Sequence, residues 1–414
     1  MRLSFVLAVG IYILFSVPLG AQASDSCHIV INSFQDVMVC AESRAPEVLS
    51  SVLEVDRSKA MIDAASEWRN PELSVQDFRG PVGGQLQSET DFFLGVPIEL
   101  GGKVQARKSV ARGGLELAEA KLYEARAQVR ILILTKLHRL RQVYHEQEIE
   151  NEAISTFSKL IEQYERRPNL SPEQQTSLLV YELSRSEYEL KRSNTLDEIL
   201  SLESFFKAKL GLTLDQIRPV IPKNLKVWPD IVSHAVIGTS PKQKALKAEL
   251  EIAHAELSRA RSDAWPTLTL GPSFRMQRQN GQMSQLTGLN LSFPLPIFNL
   301  NGGAKAVAAA DVRLNESRRE IGRLEEDMRR EELRKKYTQA VRTIKESLSH
   351  DDIENRHRQA DRLFSKGMVP SSLVIETHRT LFELEKTRHE RELQALESLL
   401  EIHTIDGTIL EAYL

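Results

Sequence analysis

The sequence predicts an α+β chain in which long helical rods alternate with β-hairpins, the whole arrangement laid out twice. Three observations carry this. The second half repeats the first about 195 residues later, two stretches of 65 and 62 residues lack proline, and period-two strand patterns precede each stretch. Segments 177–192 and 371–386 share, at an offset of 194, Ser177/Ser371, Leu179/Leu373, Val180/Val374, Glu182/Glu376, Arg185/Arg379, Glu189/Glu383 and Leu190/Leu384. At an offset of 195, Pro46, Glu54, Ala60, Ala65, Pro71 and Leu73 fall on Pro241, Glu249, Ala255, Ala260, Pro266 and Leu268. So long a period indicates two copies of one structural unit rather than a solenoid.

The rods are residues 103–167, broken only by Gly113-Gly114, and 305–366, with the single glycine Gly322. As helices they would span about 98 and 93 Å. Ala111, Leu115, Ala118, Leu122, Ala125, Val129 and Leu132 step by four and three, as do Val307, Ala310, Leu314, Ser317, Ile321, Leu324 and Met328. That is a coiled-coil seam. Its alanines permit close helix approach.

Strand alternation covers 72–76, 92–98, 267–279 and 288–295, with turn-rich loops at 80–90 and 280–284. One hairpin per half follows, within 71–99 and 266–297. Helices at 46–70 and 241–264 lead into the hairpins, with Ser43 and Ser240 as caps. Helices at 173–210 and 371–408 follow the rods, after breaks at 168–172 and 367–370. A 25-residue and a 38-residue helix together reach about 95 Å, which matches one rod, so the two short helices of each half can stack end to end along it. Residues 24–210 and 241–414 then form the two repeats, and 211–240 an irregular equatorial linker.

Composition narrows the setting. Arg2, an apolar run over 3–19 and Ala21-Gln22-Ala23 read as a secretory signal at 1–23. Removing Arg2 from 54 basic residues leaves 53 against 57 acidic, a net charge of −4. Such a balance argues against a nucleic-acid partner. No later run suits a transmembrane helix. Cys27 and Cys40, the only cysteines, either close a small disulfide loop in an oxidising compartment or remain separate thiols. Cys27 follows Ser24-Asp25-Ser26, so no lipid-anchor motif is expected.

Four strands cannot close a barrel, and an open sheet leaves edges. Alternating faces, a signal and no apolar helix suggest a membrane barrel completed by other chains. Two chains would supply 8 strands and three would supply 12. A soluble sheet with one wet face would show the same alternation.

The residues at the strand–helix junctions carry a resemblance. Pro97-Ile98-Glu99-Leu100-Gly101-Gly102-Lys103, and Pro294-Leu295-Pro296-Ile297-Phe298-Asn299 followed by Gly302-Gly303, resemble the junctions of TolC-type outer-membrane efflux proteins. So do Asn70-Pro71-Glu72-Leu73 and Ala264-Trp265-Pro266, and the variants most resemble the CzcC-like cation-efflux branch. The resemblance spans residues 33–414. It implies a homotrimer with a 12-stranded outer-membrane β-barrel over a helical periplasmic tunnel. It further implies a periplasmic adaptor (membrane fusion) protein and an inner-membrane transporter as partners, outer-membrane lipid around the barrel, and the duct role in a tripartite, RND-type pump. Heavy-metal cations are the implied cargo. Drug efflux or type I protein secretion by the same kind of channel is the alternative. Carried onto this chain, the two turns at the rod ends, Arg167, Pro168, Asn169, Leu170 and Ser171 with Gly367, Met368, Val369, Pro370 and Ser371, become the candidate adaptor contact.

Other chemistry is tested and rejected. Gly102-Lys103 lacks the glycine and the Ser/Thr of a phosphate loop, with Pro97 and Val104 in their places. Glu251/His254 and Glu354/His357 match the spacing of di-iron bundles, but chance alone supplies such matches, so no metal centre and no cofactor is expected. His138/His145 and His350/His357 lie seven residues apart, about 10.5 Å along a helix, and are expected on solvated faces. No nucleophile–base–acid set stands out, and no enzymatic activity is expected. A periplasmic coiled-coil adaptor is the main rival reading, but would carry a biotinyl-lipoyl-like β domain where this chain has hairpins.

Overall fold

A computed structural model describes residues 31–82, 85–223, 225, 227–231, 238–279, 281–365 and 370–411. The signal reading at 1–23 lies outside them, as does Cys27. Cys40 is fully buried and disulfide-bonded.

The elements run α1 (Phe34–Arg44), α2 (Pro46–Ser66), β1 (Glu72–Val82), β2 (Gln85–Glu99), α3 (Lys103–Glu165), α4 (Pro172–Leu210) and α5 (Leu214–Ile217). They continue with α6 (Pro241–Ser262), β3 (Thr267–Gln279), β4 (Gln282–Ser292), α7 (Gly302–Glu346), α8 (His350–Ser365) and α9 (Ser371–Ile405). The helices form one layer. α2 and α4 both pack on one side of α3, α6 and α9 pack between α3 and α7, and α7 is the far wall. The short helices thus line the long ones as their lengths require.

Local chemistry sets the ends. Ala45 precedes Pro46 and is extended (φ −60°, ψ 119°), separating α1 from α2. Ser171 and Ser240 cap α4 and α6 through their hydroxyls, each with proline opening the helix. Gly113 does not break α3. A Cβ there would come 2.7 Å from Ile252 Cγ1, so the missing side chain lets α6 approach.

The second rod departs from expectation. Helix ends at Glu346, and α8 starts afresh at His350. The Ser349 hydroxyl accepts from Asp352 N (3.1 Å) and donates to its carboxylate (2.5 Å), capping a new helix with Asp351 and Asp352 in its first turn. Arg388 of α9 closes the other side, donating to Ser347 Oγ (2.8 Å) and Leu348 O (2.7 Å). No proline or glycine marks this break in the sequence.

The four strands form one antiparallel sheet in the order β1-β2-β3-β4, with β1 and β4 at open edges. The strands are longer than alternation indicated: Val82 pairs with Gln85, and Gln279 with Gln282. Gly281 has φ +79° and so suits a primed hairpin turn. One face is apolar, carrying Leu73, Val75, Phe92, Leu94, Val96, Ile98, Leu268, Leu270, Phe274, Met276, Leu289 and Leu291 on paired strands. From Leu268 to Met276 this band rises about 26 Å at 3.3 Å per residue. The opposite face carries Arg275, bonded to Asp91 through Nε and Nη2 (2.7 and 2.9 Å) and to Glu89 (2.8 Å).

Candidate functional site

Two regions can carry function: the far end of the helical layer, and a layer of buried polar side chains inside it. The strand–helix junctions join the two halves at the opposite end. Gly101 and Gly102 turn the chain in the left-handed region (φ 71° and 75°), and a Cβ on Gly101 would lie 2.4 Å from Trp265. Lys103 Nζ donates to Thr267 (3.1 Å), while Arg107 donates to Glu99 (2.7 Å) and holds its carboxyl below the usual range.

At the far end, Arg167, Pro168, Asn169 and Ser171 are exposed and Leu170 is half-buried. The Arg167 guanidinium lies 4.9 Å from the Tyr164 ring centre, and Ser171 forms a capping box with Gln174. Of the second turn, Gly367, Met368 and Val369 lie outside the described residues; Pro370 is the exposed N-cap of α9, which Ser371 opens. Beneath both turns Phe157, Tyr181, Tyr188 and Phe382 form a buried aromatic cluster tying α3, α4 and α9 together.

About 30 Å inward from the end of α3, of the four histidines expected on wet faces His138 and His357 are buried and His145 and His350 half-buried, and His378 and His389 are buried with them. Each lies on the seam between α3, α8 and α9 rather than on the outer surface. Periodicity identifies a helix's apolar stripe but not the polar residues that border it.

The centre of this layer is Glu146. Arg139 grips it with Nη1 and Nη2 (2.8 and 3.0 Å) while bonding Glu198 with Nε and Nη2 (2.7 Å each). His389 Nδ1 sits 2.8 Å from Glu146 Oε1, and His389 Nε2 is 3.4 Å from His145 Nδ1. His350, the first residue of α8, places Nδ1 3.1 Å from Glu385 Oε1. The rings of His145 and His350 meet edge to face at 4.3 Å. Gln142 donates to His389 O (3.0 Å), and Arg141 donates to Glu392 (2.8 Å). A second pair, His357 and His378, lies closer to the tip with nitrogens 3.3 Å apart.

Charge is sorted within the layer. Burial, reinforced by His350, pushes His145 down to about 4, so it is neutral at pH 7. For Glu385 burial resists ionisation, but the His350 hydrogen bond and the neighbouring imidazoles outweigh it and hold the carboxyl below its usual range. Burial raises Glu150, which accepts from Thr195 (2.8 Å). His145 thus presents a neutral nitrogen beside the Glu385 carboxylate, and two imidazoles with one carboxylate are a donor set suited to a divalent cation. His145, Glu385 and His389 each offer a ligand atom, all within 4.8 Å of one another.

The Glu251/His254 and Glu354/His357 pairs are not the source of this cluster. His254 and Glu354 are exposed, and His357 faces His378. The usable signal is Glu385 and His389, four residues apart on one helix face, but their partner lies about 240 residues away in sequence.

No family model matches the chain. It is 26% identical over 259 residues to the cobalt-zinc-cadmium resistance protein CzcC of Cupriavidus metallidurans, covering 60% of this chain and 59% of that protein. It is 23% identical over 291 residues to the nickel-cobalt-cadmium resistance protein NccC of Alcaligenes xylosoxydans xylosoxydans, covering 67% and 64%. The chain thus matches about three fifths of the length of these relatives. Among solved structures, the outer-membrane channel OprN superposes with a TM-score of 0.70 at 15% identity, over 90% of this chain and 89% of that one. The helical layer with its four-stranded sheet therefore has the fold of such a channel.

Proposed function

We propose, from a chain with the fold of the TolC-type outer-membrane channels, that it is the outer-membrane duct of a tripartite efflux system, closed by three copies and extending into the periplasm. The observation that carries this reading is the pair of bare apolar edges on the helical layer. The seam over Ala111–Val129 is mostly covered, whereas its counterpart on α7 leaves Val307, Leu314, Ile321, Leu324 and Met328 exposed. On the opposite edge Leu53 and Met61 of α2, and Leu183, Leu190 and Leu200 of α4, are equally bare. The open strands β1 and β4 lie at these same two edges. Two unlike edges, each apolar, suit head-to-tail contacts that close into a ring. Three copies give 12 strands and bury what each chain leaves open.

In this reading the two halves are duplicated staves, each supplying one hairpin and one helical wall. The apolar sheet face and the exposed Phe293–Leu300 segment meet lipid or a neighbouring copy, and Arg275 with Asp91 and Glu89 faces the water-filled side. The turns at Arg167–Ser171 and around Gly367–Ser371 form the aperture, where a periplasmic adaptor linked to an inner-membrane transporter docks and opens it. Nothing in the duct's chemistry requires an energy source. The likeness to CzcC and NccC favours divalent metal cations as cargo. Deleting the gene and restoring it on a plasmid tests this: tolerance of zinc, cobalt, nickel or cadmium should fall and then recover, with tolerance of organic dyes unchanged. Sensitivity to dyes alone would replace cations with drugs as cargo.

A further inference from the structure

We propose that His145, Glu385 and His389 form a resident binding site for one zinc-class divalent cation within the helical wall, clasping α9 and the start of α8 onto α3. The site does not depend on what the duct carries, since it lies between helices of a single chain.

Geometry comes first. Two nitrogens bound to one tetrahedral zinc at about 2.05 Å lie about 3.3 Å from each other. His145 Nδ1 and His389 Nε2 stand 3.4 Å apart. Glu385 Oε2 is 4.0 Å from the same His389 nitrogen, a gap that a small side-chain rotation closes. Glu385 itself supplies the independent sign of a missing partner. Its side chain is about 2% exposed, and Oε2 has no hydrogen-bond partner among the described residues. An anionic oxygen left unsatisfied in a buried layer is costly, and a cation on it removes that cost.

The supporting groups are also in place. His389 Nδ1 leans on Glu146, which Arg139 fixes with two further bonds. That carboxylate–histidine arrangement sets the ring's tautomer and leaves Nε2 free to ligate. His350 does the same for Glu385 by holding Oε1. A cavity of about 220 Å³ opens beside His145 and Glu385, with Glu148, Glu152 and Glu354 among its lining residues. Their carboxylates favour cation entry, and the open side offers a water-filled fourth position. Two imidazoles with one carboxylate select borderline ions such as zinc, cobalt(II) or nickel over calcium or magnesium. Because α8 begins at His350, beside the break in the second rod, the bound ion would couple the tip segment's position to occupancy.

The test uses the full-length protein purified in detergent, stripped with chelator and dialysed against zinc chloride. One zinc per chain should be retained after desalting, and X-ray absorption should show two imidazoles and oxygen in the first shell. Glu385→Gln and His389→Gln should each abolish stoichiometric binding. Glu146→Gln should weaken it about 10–100-fold through the tautomer, and His254→Gln, at an exposed position of α6, should leave it unchanged. Retention well below one zinc per chain, or an all-oxygen shell, overturns the site. So does undiminished binding in both ligand variants. The absorption spectrum is read on the unaltered chain, so a variant that fails to fold does not blunt the test. Loss of cation tolerance in cells with zinc binding absent here would sink this site and leave the export reading standing.

Discussion

Gly271→Ala is expected to prevent the sheet from forming, with heat-resistant oligomers and membrane-inserted protein both lost. A Cβ on Gly271 would sit 1.7 Å from the carbonyl oxygen of Leu94 and 2.8 Å from its carbon. These are backbone atoms of the adjacent strand, so no side-chain rotation relieves the clash. The pairing of β2 with β3 already skips this point, running from Phe93 with Ser273 to Val96 with Leu270. Pro272 has no N–H to offer there, and the two backbones come close instead. Overpacking usually costs about 1–3 kcal/mol, and a clash with a neighbouring backbone belongs at or above that upper end. Gly80→Ala is the control. Its Cβ meets nothing within 4 Å, so its sheet should assemble normally, as read by the mobility of unheated and heated samples on a denaturing gel.

Arg139→Met is expected to destabilise the helical wall by about 3–5 kcal/mol, the usual result of stranding a buried charge. Glu146 is almost fully buried and loses both guanidinium bonds, while Glu198, partly exposed, turns to water. The pH dependence follows from Glu146. Burial resists its ionisation, but the bonds from His389 and Arg139 prevail and hold its pKa below the ordinary carboxylate value. A depressed carboxyl contributes stability that is present above its unfolded pKa and is lost as pH falls through the folded one. In the variant that contribution shrinks, and a neutral Glu146 is no longer penalised. The gap between wild type and variant should therefore be widest at pH 7 and narrow below about pH 4. Denaturation midpoints at pH 7 and in the acid range measure this. An equal gap at both would contradict the assignment of the cost to Glu146. Arg139→Lys, keeping charge but not the two-pronged grip, should recover only part of the loss.

How much of this was legible before the structure depends on the range of the interaction. The rods, hairpins and caps follow from neighbours a few residues apart: Ser240 does cap α6, whereas Ser43 lies inside α1, its hydroxyl bonded to Cys40 O, and Ala45 caps α2. The break at 347–349 was also local, but no proline or glycine marks it; Ser349 followed three residues later by Asp352 is a helix-start signal that this lack of breakers concealed. The loops read at 80–90 and 280–284 took in residues that pair as strand, which shortened the strands. The polar layer was beyond reach. His145 and His389 meet only after α9 packs against α3, and burial there is what makes His145 a neutral donor rather than a wet-surface histidine. Seam positions likewise look alike in sequence, yet those of α3 are largely covered and those of α7 are bare. Among the described residues nothing covers that face of α7, and in the proposed ring a neighbouring copy does.

That last point is where the account is most exposed. Native mass measurement on protein extracted from the outer membrane in mild detergent counts the chains per particle. The account predicts three, with closed strands and both apolar edges buried between copies. A monodisperse single chain that stays soluble with α7 and α4 uncovered would contradict it.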